Sequence, residues 1–235
     1  MYGNRSSEIE GDSLQAAAGH VGRCLRPNGE ASESEWKDAY WGETNVLVSW
    51  AESNRLVIPL CNVVGRSRHD GAEHGVWYNE GLGRWFKLTH RGKFGGIPEL
   101  GYALDKKSQG WRKEFILRQG TPGEYLVRMT LGNQLFGDDV QLEGVVQDNE
   151  HARVLISQGH IEGKAPNPEE INTFMINSGF LSAPDFAWYN PSSGIAAFDA
   201  LARNFLRTSD GDILPIDLIL TPVEGRLREY FKEVT

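Results

Sequence analysis

Across 235 residues, 24 Lys and Arg stand against 32 Asp and Glu, a formal charge of −8, which excludes a broad nucleic-acid surface because phosphate backbones are gripped by clustered cations. Hydrophobic residues make up 40% of the chain and aromatics 10%, with seven Trp, enough for one large or two small cores and too much for a disordered tail. Two cysteines, Cys24 and Cys61, exclude a disulfide scaffold and a cysteine-based zinc site and point to a reducing compartment.

The opening, residues 1–12, is polar, without an apolar leader segment, and reads as loose. No run of about 18–20 apolar residues offers a membrane span, so a cytoplasmic protein with no membrane partner is expected. A capped Ala-rich start at Ser13 begins one short helix. Residues 44–54 place Val46, Leu47, Trp50 and Ala51 on the stripe of a second, ahead of Pro59. Both read as a helical extension, residues 1–60, packed on the main body.

From Cys61 the pattern turns to glycine punctuation and β-type runs. A glycine-rich loop, residues 65–75, precedes two β-rich arms joined by a Gly-containing turn over residues 75–89, a hairpin signal that places Lys87 on the second arm. Thr121-Pro-Gly-Glu124 opens a helix with a capping box; Tyr125, Met129 and Phe136 mark its buried side, and Gly137-Asp-Asp ends it. Residues 140–146 and 153–158 read as strands around an acidic turn. Asn167-Pro-Glu-Glu170 caps another helix that Gly179 stops, and residues 194–205 and 213–220 flank the turn Ser-Asp-Gly-Asp at 209–212.

Phosphoryl transfer from a nucleotide needs a backbone-rich loop over the phosphates, a lysine to neutralise them, carboxylate and amide oxygens for Mg²⁺, and a carboxylate to orient the acceptor hydroxyl. In protein kinases these occur in the order glycine loop, strand lysine, D-x-x-x-x-N and a later Asp. This chain has that order: the 65–75 loop, Lys87, Asp199-Ala-Leu-Ala-Arg203-Asn204, then Asp217 in Leu-Pro-Ile-Asp-Leu-Ile-Leu. A carboxylate in an apolar strand costs several kcal/mol unless paired or metal-bound, which makes Asp217 the most informative residue of the set.

The chain resembles the serine/threonine/tyrosine kinase-like domains of phage and mobile-element polyvalent proteins. The likeness runs over about residues 44–220, through His74-Gly-Val-Trp-Tyr, Arg84-Trp-Phe-Lys-Leu-Thr, Glu124-Tyr-Leu, Leu135-Phe-Gly-Asp-Asp, Leu142-Glu-Gly-Val-Val, Ile156-Ser-Gln, Ile161-Glu-Gly, residues 199–204 and Pro215-Ile-Asp-Leu. It implies an α+β, protein kinase-like bilobal fold: the N-terminal helical extension over 1–60, a small β-rich N-lobe over 61–157 and a minimal C-lobe over 158–235. It further implies ATP and Mg²⁺, with Lys87, Asp199 and Arg203 catalytic, Lys87, Glu124, Gly71, Gly75 and Gln158 contacting the nucleotide, and Asn204 and Asp217 holding the metal. The expected acceptor is a hydroxyl, of a protein Ser, Thr or Tyr.

The chain also departs from that pattern. Ala197 and Phe198 stand where His and Arg usually precede the catalytic Asp, and the loop before Lys87 is not a strict G-x-G-x-x-G. Glu124 matches the family position for a partner to Lys87 and equally the place of a capping-box glutamate, with Glu114 and Glu99 as weaker candidates. Only 18 residues follow Asp217, short for an activation segment and large C-lobe, so a nucleotide-binding pseudokinase and a small-molecule kinase stay open, and a plain interaction domain beside them. His69 and His74 lack metal-site spacing, Phe136-Gly-Asp-Asp139 reads as a turn, the Trp residues read as core, and no hydrolase motif occurs.

Overall fold

The computed structural model describes residues 12–24, 33–104 and 110–235; the expected loose opening, residues 1–11, lies outside them. In chain order come α1 (Ser13–Cys24), α2 (Glu33–Ser53), β1 (His69–Asp70), β2 (His74–Asn79), β3 (Arg84–Thr89), β4 (Gly96–Leu104), β5 (Trp111–Gln119), α3 (Pro122–Phe136), β6 (Gln141–Asp148) and β7 (His151–Gly159). Then follow α4 (Pro168–Asn177), β8 (Leu181–Ser182), β9 (Trp188–Asn190), β10 (Ile195–Phe198), β11 (Phe205–Arg207), β12 (Ile213–Pro215), β13 (Ile219–Pro222) and α5 (Gly225–Val234). The chain is α+β, and among the described residues no helix is long and apolar enough to cross a membrane.

Local signals place several elements where the sequence puts them. Thr121 caps α3 through a complete capping box, its hydroxyl accepting from the Glu124 N–H while Glu124 Oε2 accepts from the Thr121 N–H at 3.0 Å, and Pro122 follows. Asn167 and Glu170 do the same for α4, both bonds at 2.9 Å. The cap of α1 is Asp12, whose Oδ1 accepts from the Leu14 N–H at 2.9 Å, one residue before the expected Ser13. Helix α2 starts eleven residues before the expected position 44: Trp36 and Tyr40 carry the stripe of Leu47 and Ala51 backwards through a charged stretch that hides the period.

A five-stranded antiparallel sheet runs in the order β1-β2-β3-β7-β6, with Lys87 of β3 between Val76 of β2 and Ile156 of β7. One face meets the helices: Leu14 and Val21 of α1, Tyr40 and Leu47 of α2 and Tyr125 and Leu126 of α3 share a core with Val145, Val154 and Ile156. Helices α1 and α2 are thus built into the same core as the sheet. Trp77, Phe86, Leu88 and Leu155 bury the other face with Val63.

Beyond Gly159 the strand order β13-β10-β9-β8 forms a second sheet, and β11 and β12 a separate hairpin. Strand β10 is buried throughout and alternates: Ile195 and Ala197 face a core with Met175, Phe180 and Phe205, while Ala196 and Phe198 face one with Tyr230 and Phe231. Helix α3 joins the two halves, because Leu131, Leu135 and Phe136 at its far end pack on the second of these bodies. Strands β4 and β5 pair only with each other, in a nine-residue ribbon that the sequence reading does not foresee.

Chain crossing fixes one glycine. Residues 56–58 run beside β6, with the Val145 N–H donating to Leu56 O at 2.8 Å and the Ile58 N–H to Val145 O at 2.9 Å. A Cβ on Gly144, at φ +155° beside the β6 register shift, would overlap the Leu56 carbonyl. Gly144→Ala is expected to destabilise the fold by about 2 kcal/mol or more, read as a fall in the urea midpoint; an unchanged midpoint would count against this crossing.

Candidate functional site

Lys87, Asp138, Gln158 and Asp217 line one cavity with His74, Arg128, Met129, Gly132, Val140, Ile156 and Leu218, where the first sheet, α3 and the β12–β13 corner meet. Lys87 is half-buried on β3. Among the described residues it has no ion pair within 4 Å, and the carboxylates of Glu73 and Asp138 act on it through space.

Asp217 is not embedded in an apolar strand. It is exposed on a bend, because the apolar run 213–220 is two strands in two different sheets: β12 pairs with β11, β13 pairs with β10, and the chain turns between them at Asp217. The corner lets the carboxylate reach the cavity without the cost of full burial.

The 199–204 run lies directly against that corner, the Ile216 N–H donating to Asn204 O at 2.9 Å. Asp199 follows β10 at φ +57°, a left-handed conformation that Asp tolerates better than most residues. The Asn204 Nδ2 donates to both Asp199 O (2.7 Å) and Oδ2 (2.8 Å), holding that turn and leaving Oδ1 as the acceptor of a buried amide. Arg203, whose side chain is 64% exposed, pairs with Asp199 Oδ1 at 2.5 Å.

Gly71 and Gly75 sit in the β1–β2 hairpin, which is tight: the Gly71 N–H donates to His74 O at 2.9 Å, and Gly75 lies opposite Leu88, next to Lys87. His74 is buried and bonded to the Tyr125 hydroxyl at 2.8 Å, while His69 is exposed on β1, so the two histidines are not paired for a metal. Gln158 is buried, its Nε2 donating to Asp138 O at 3.2 Å.

Glu124 is engaged elsewhere. Arg118, from the β4–β5 ribbon, grips its carboxylate, with Nη1 to Oε2 at 2.7 Å, and also binds Glu99, while Glu114 pairs with Arg112. Burial lowers the Arg118 pKa, and the two glutamates more than reverse this, so it ends raised. The face of α3 toward the cavity presents a cation instead: Arg128, 3% exposed, is paired with Glu73 from the β1–β2 turn and lies over the Tyr125 ring.

Three participants escape the sequence reading: Glu73, Arg128 and Asp138. Desolvation pushes the Glu73 pKa up against the pull of Arg128, and burial with the charge of Lys87 holds His74 well below its usual value. Desolvation raises the Asp138 carboxyl from 3.8 to about 6, the charge of Lys87 opposing and that of Asp217 adding to it. Asp138 follows the left-handed cap Gly137 of α3, and nothing in Phe-Gly-Asp-Asp separates a cleft carboxylate from a turn residue.

Mg²⁺ usually takes one or two protein carboxylates and completes its shell with phosphate oxygens and water; Asp217 offers one carboxylate at the cavity, and Asn204, on the adjoining segment, is not among the residues that line it. Among the described residues no cluster of three or more His, Cys, Asp or Glu forms a metal cage. The cavity holds about 20 Å³, the room of one water. No family model, curated protein or solved structure matches this chain.

Proposed function

We propose that the chain is an ATP- and Mg²⁺-dependent phosphotransferase of protein kinase-like architecture, acting on a hydroxyl acceptor, in first place that of a protein Ser, Thr or Tyr. The observation that carries this reading is the meeting of Lys87, from the third strand of a sheet whose next helix is α3, with Asp217, 130 residues later, in one cavity. Lysine on such a strand is how protein kinases hold the α and β phosphates.

In this reading the Lys87 ammonium neutralises those phosphates, and Asp217 with Asn204 would hold Mg²⁺, which would supply charge neutralisation on the phosphate oxygens. Asp199 orients the acceptor and takes its proton as the new O–P bond forms and the bond from the β–γ bridging oxygen to the γ phosphorus breaks, releasing ADP. Arg203 stands beside Asp199 to meet the γ phosphate.

Calorimetric titration with ATP, with and without Mg²⁺, tests it. Binding is expected to require the metal and to fall by a factor of about 100 or more in Lys87→Ala and Asp217→Asn, with far-UV circular dichroism unchanged. Wild-type affinity in either folded variant overturns the assignment.

A second reading, nucleotide binding without transfer, draws on the engagement of the Asp199 carboxylate by both Arg203 and Asn204. Phosphorylation that is unchanged in Asp199→Ala favours it over catalysis at this site.

A further inference from the structure

We infer that Asp138 is the positioning residue for Lys87, holding its ammonium toward the nucleotide phosphates. The inference rests on the nucleotide reading above and goes beyond it in naming a residue that the kinase resemblance leaves without a role.

A half-buried ammonium without a bonded partner needs a nearby anion to keep one direction, since a lysine side chain has four rotatable bonds and loses about 2 kcal/mol of rotamer entropy when fixed. Four acidic side chains could serve. Glu124 is spent on Arg118 and the Thr121 N–H, and Glu73 on Arg128. Asp217 lies across the cavity, on the bend that would hold the metal. Asp138 remains: it lines the same cavity, it acts on Lys87 through space, and among the described residues its carboxylate accepts no hydrogen bond.

Its placement is built by two neighbours. Gln158, two residues along β7 from the partner of Lys87, donates to the Asp138 carbonyl and fixes the backbone. Gly132, one turn before the end of α3, leaves the space that the Asp138 carboxylate fills; a Cβ there would overlap Oδ2. Gly inside a helix costs about 1 kcal/mol against Ala, and here the missing methyl is what admits the carboxylate.

The test measures affinities for Mg·ATP, ADP and adenosine in the wild type, Asp138→Asn, Gly132→Ala, Lys87→Met and the double variant Asp138→Asn/Lys87→Met. Gly132→Ala keeps the charge, displaces it, and improves helix propensity, so a loss in that variant does not come from unfolding. Asp138→Asn and Gly132→Ala are each expected to lose about tenfold in ATP and ADP affinity and to keep adenosine affinity, which a general loss of structure would not spare. The double variant is expected to bind no worse than Lys87→Met, as for two groups acting as one unit. Wild-type ATP affinity in Asp138→Asn and Gly132→Ala, with the wild type binding normally, overturns the role of Asp138 alone. A folded wild type that binds none of the three ligands overturns the nucleotide reading itself, and this inference with it.

Discussion

Arg128→Met is expected to cost about 3–5 kcal/mol of stability, a fall of about 10 °C in the thermal midpoint for a chain of this size. Arg128 is 3% exposed and paired with Glu73, whose side chain is 20% exposed, so its removal leaves a partly buried carboxylate without its paired cation. Burial already pushes the Glu73 pKa up against the opposing pull of Arg128, which shows how costly that anion is when bare. Glu73→Gln in the Arg128→Met background is expected to return much of the loss, because a pair removed together leaves no orphan charge. Thermal unfolding of both variants decides it, and a single variant less than 1 kcal/mol below the wild type would be incompatible with a buried ion pair here. The consequence reaches the site, since Glu73 belongs to the β1–β2 turn beside Lys87 and Arg128 ties that turn to α3.

Asp138→Asn is expected to act in the opposite direction and to stabilise the protein at neutral pH. The carboxyl titrates at about 6 in the folded chain against 3.8 for the ordinary group. Between these values the folded state holds the proton more tightly than the unfolded state, so the contribution of this group to stability is fully present below about pH 4 and is lost as pH rises through about 6. The difference of about two units corresponds to at most about 3 kcal/mol. Thermal midpoints measured from pH 4 to pH 8 should show variant and wild type together at the acid end and the variant higher above pH 7. A constant gap, or a less stable variant at pH 8, would refute the buried-carboxylate account. A stability cost at a group proposed to serve binding is the common trade between activity and stability.

Much of the fold is legible in local chemistry. The capping boxes at Thr121–Glu124 and Asn167–Glu170 declare α3 and α4, since their hydrogen bonds close within four residues, and the β2–β3 hairpin follows from its two β-rich arms and the Gly-containing turn between them. The ribbon of β4 and β5 is not legible. Its apolar contacts with the body include Ile97, Leu100 and Phe115, while Tyr102, Leu104, Trp111, Ile116 and Leu117 stay exposed on both of its faces, so no alternation marks it. That omission hides the fate of Glu124, whose partner Arg118 stands on β5. Helix α5 is likewise missed, because Tyr230 and Phe231 are buried by distant residues such as Phe115 and Tyr189.

By itself the sequence determines which groups exist and in what order: a lysine on a strand after a glycine-rich stretch, then Asp199, Asn204 and Asp217. It also determines the elements whose signals are local. Only the tertiary structure decides which charges meet. It sets Asp217 at a corner between two sheets, brings Asn204 against it through the β11–β12 hairpin, turns Glu124 outward to Arg118, and seats Arg128 and Asp138 facing Lys87. Pairing of charges depends on distance and burial, and both are fixed here by contacts between segments as far apart in the chain as those of His74 and Asp217.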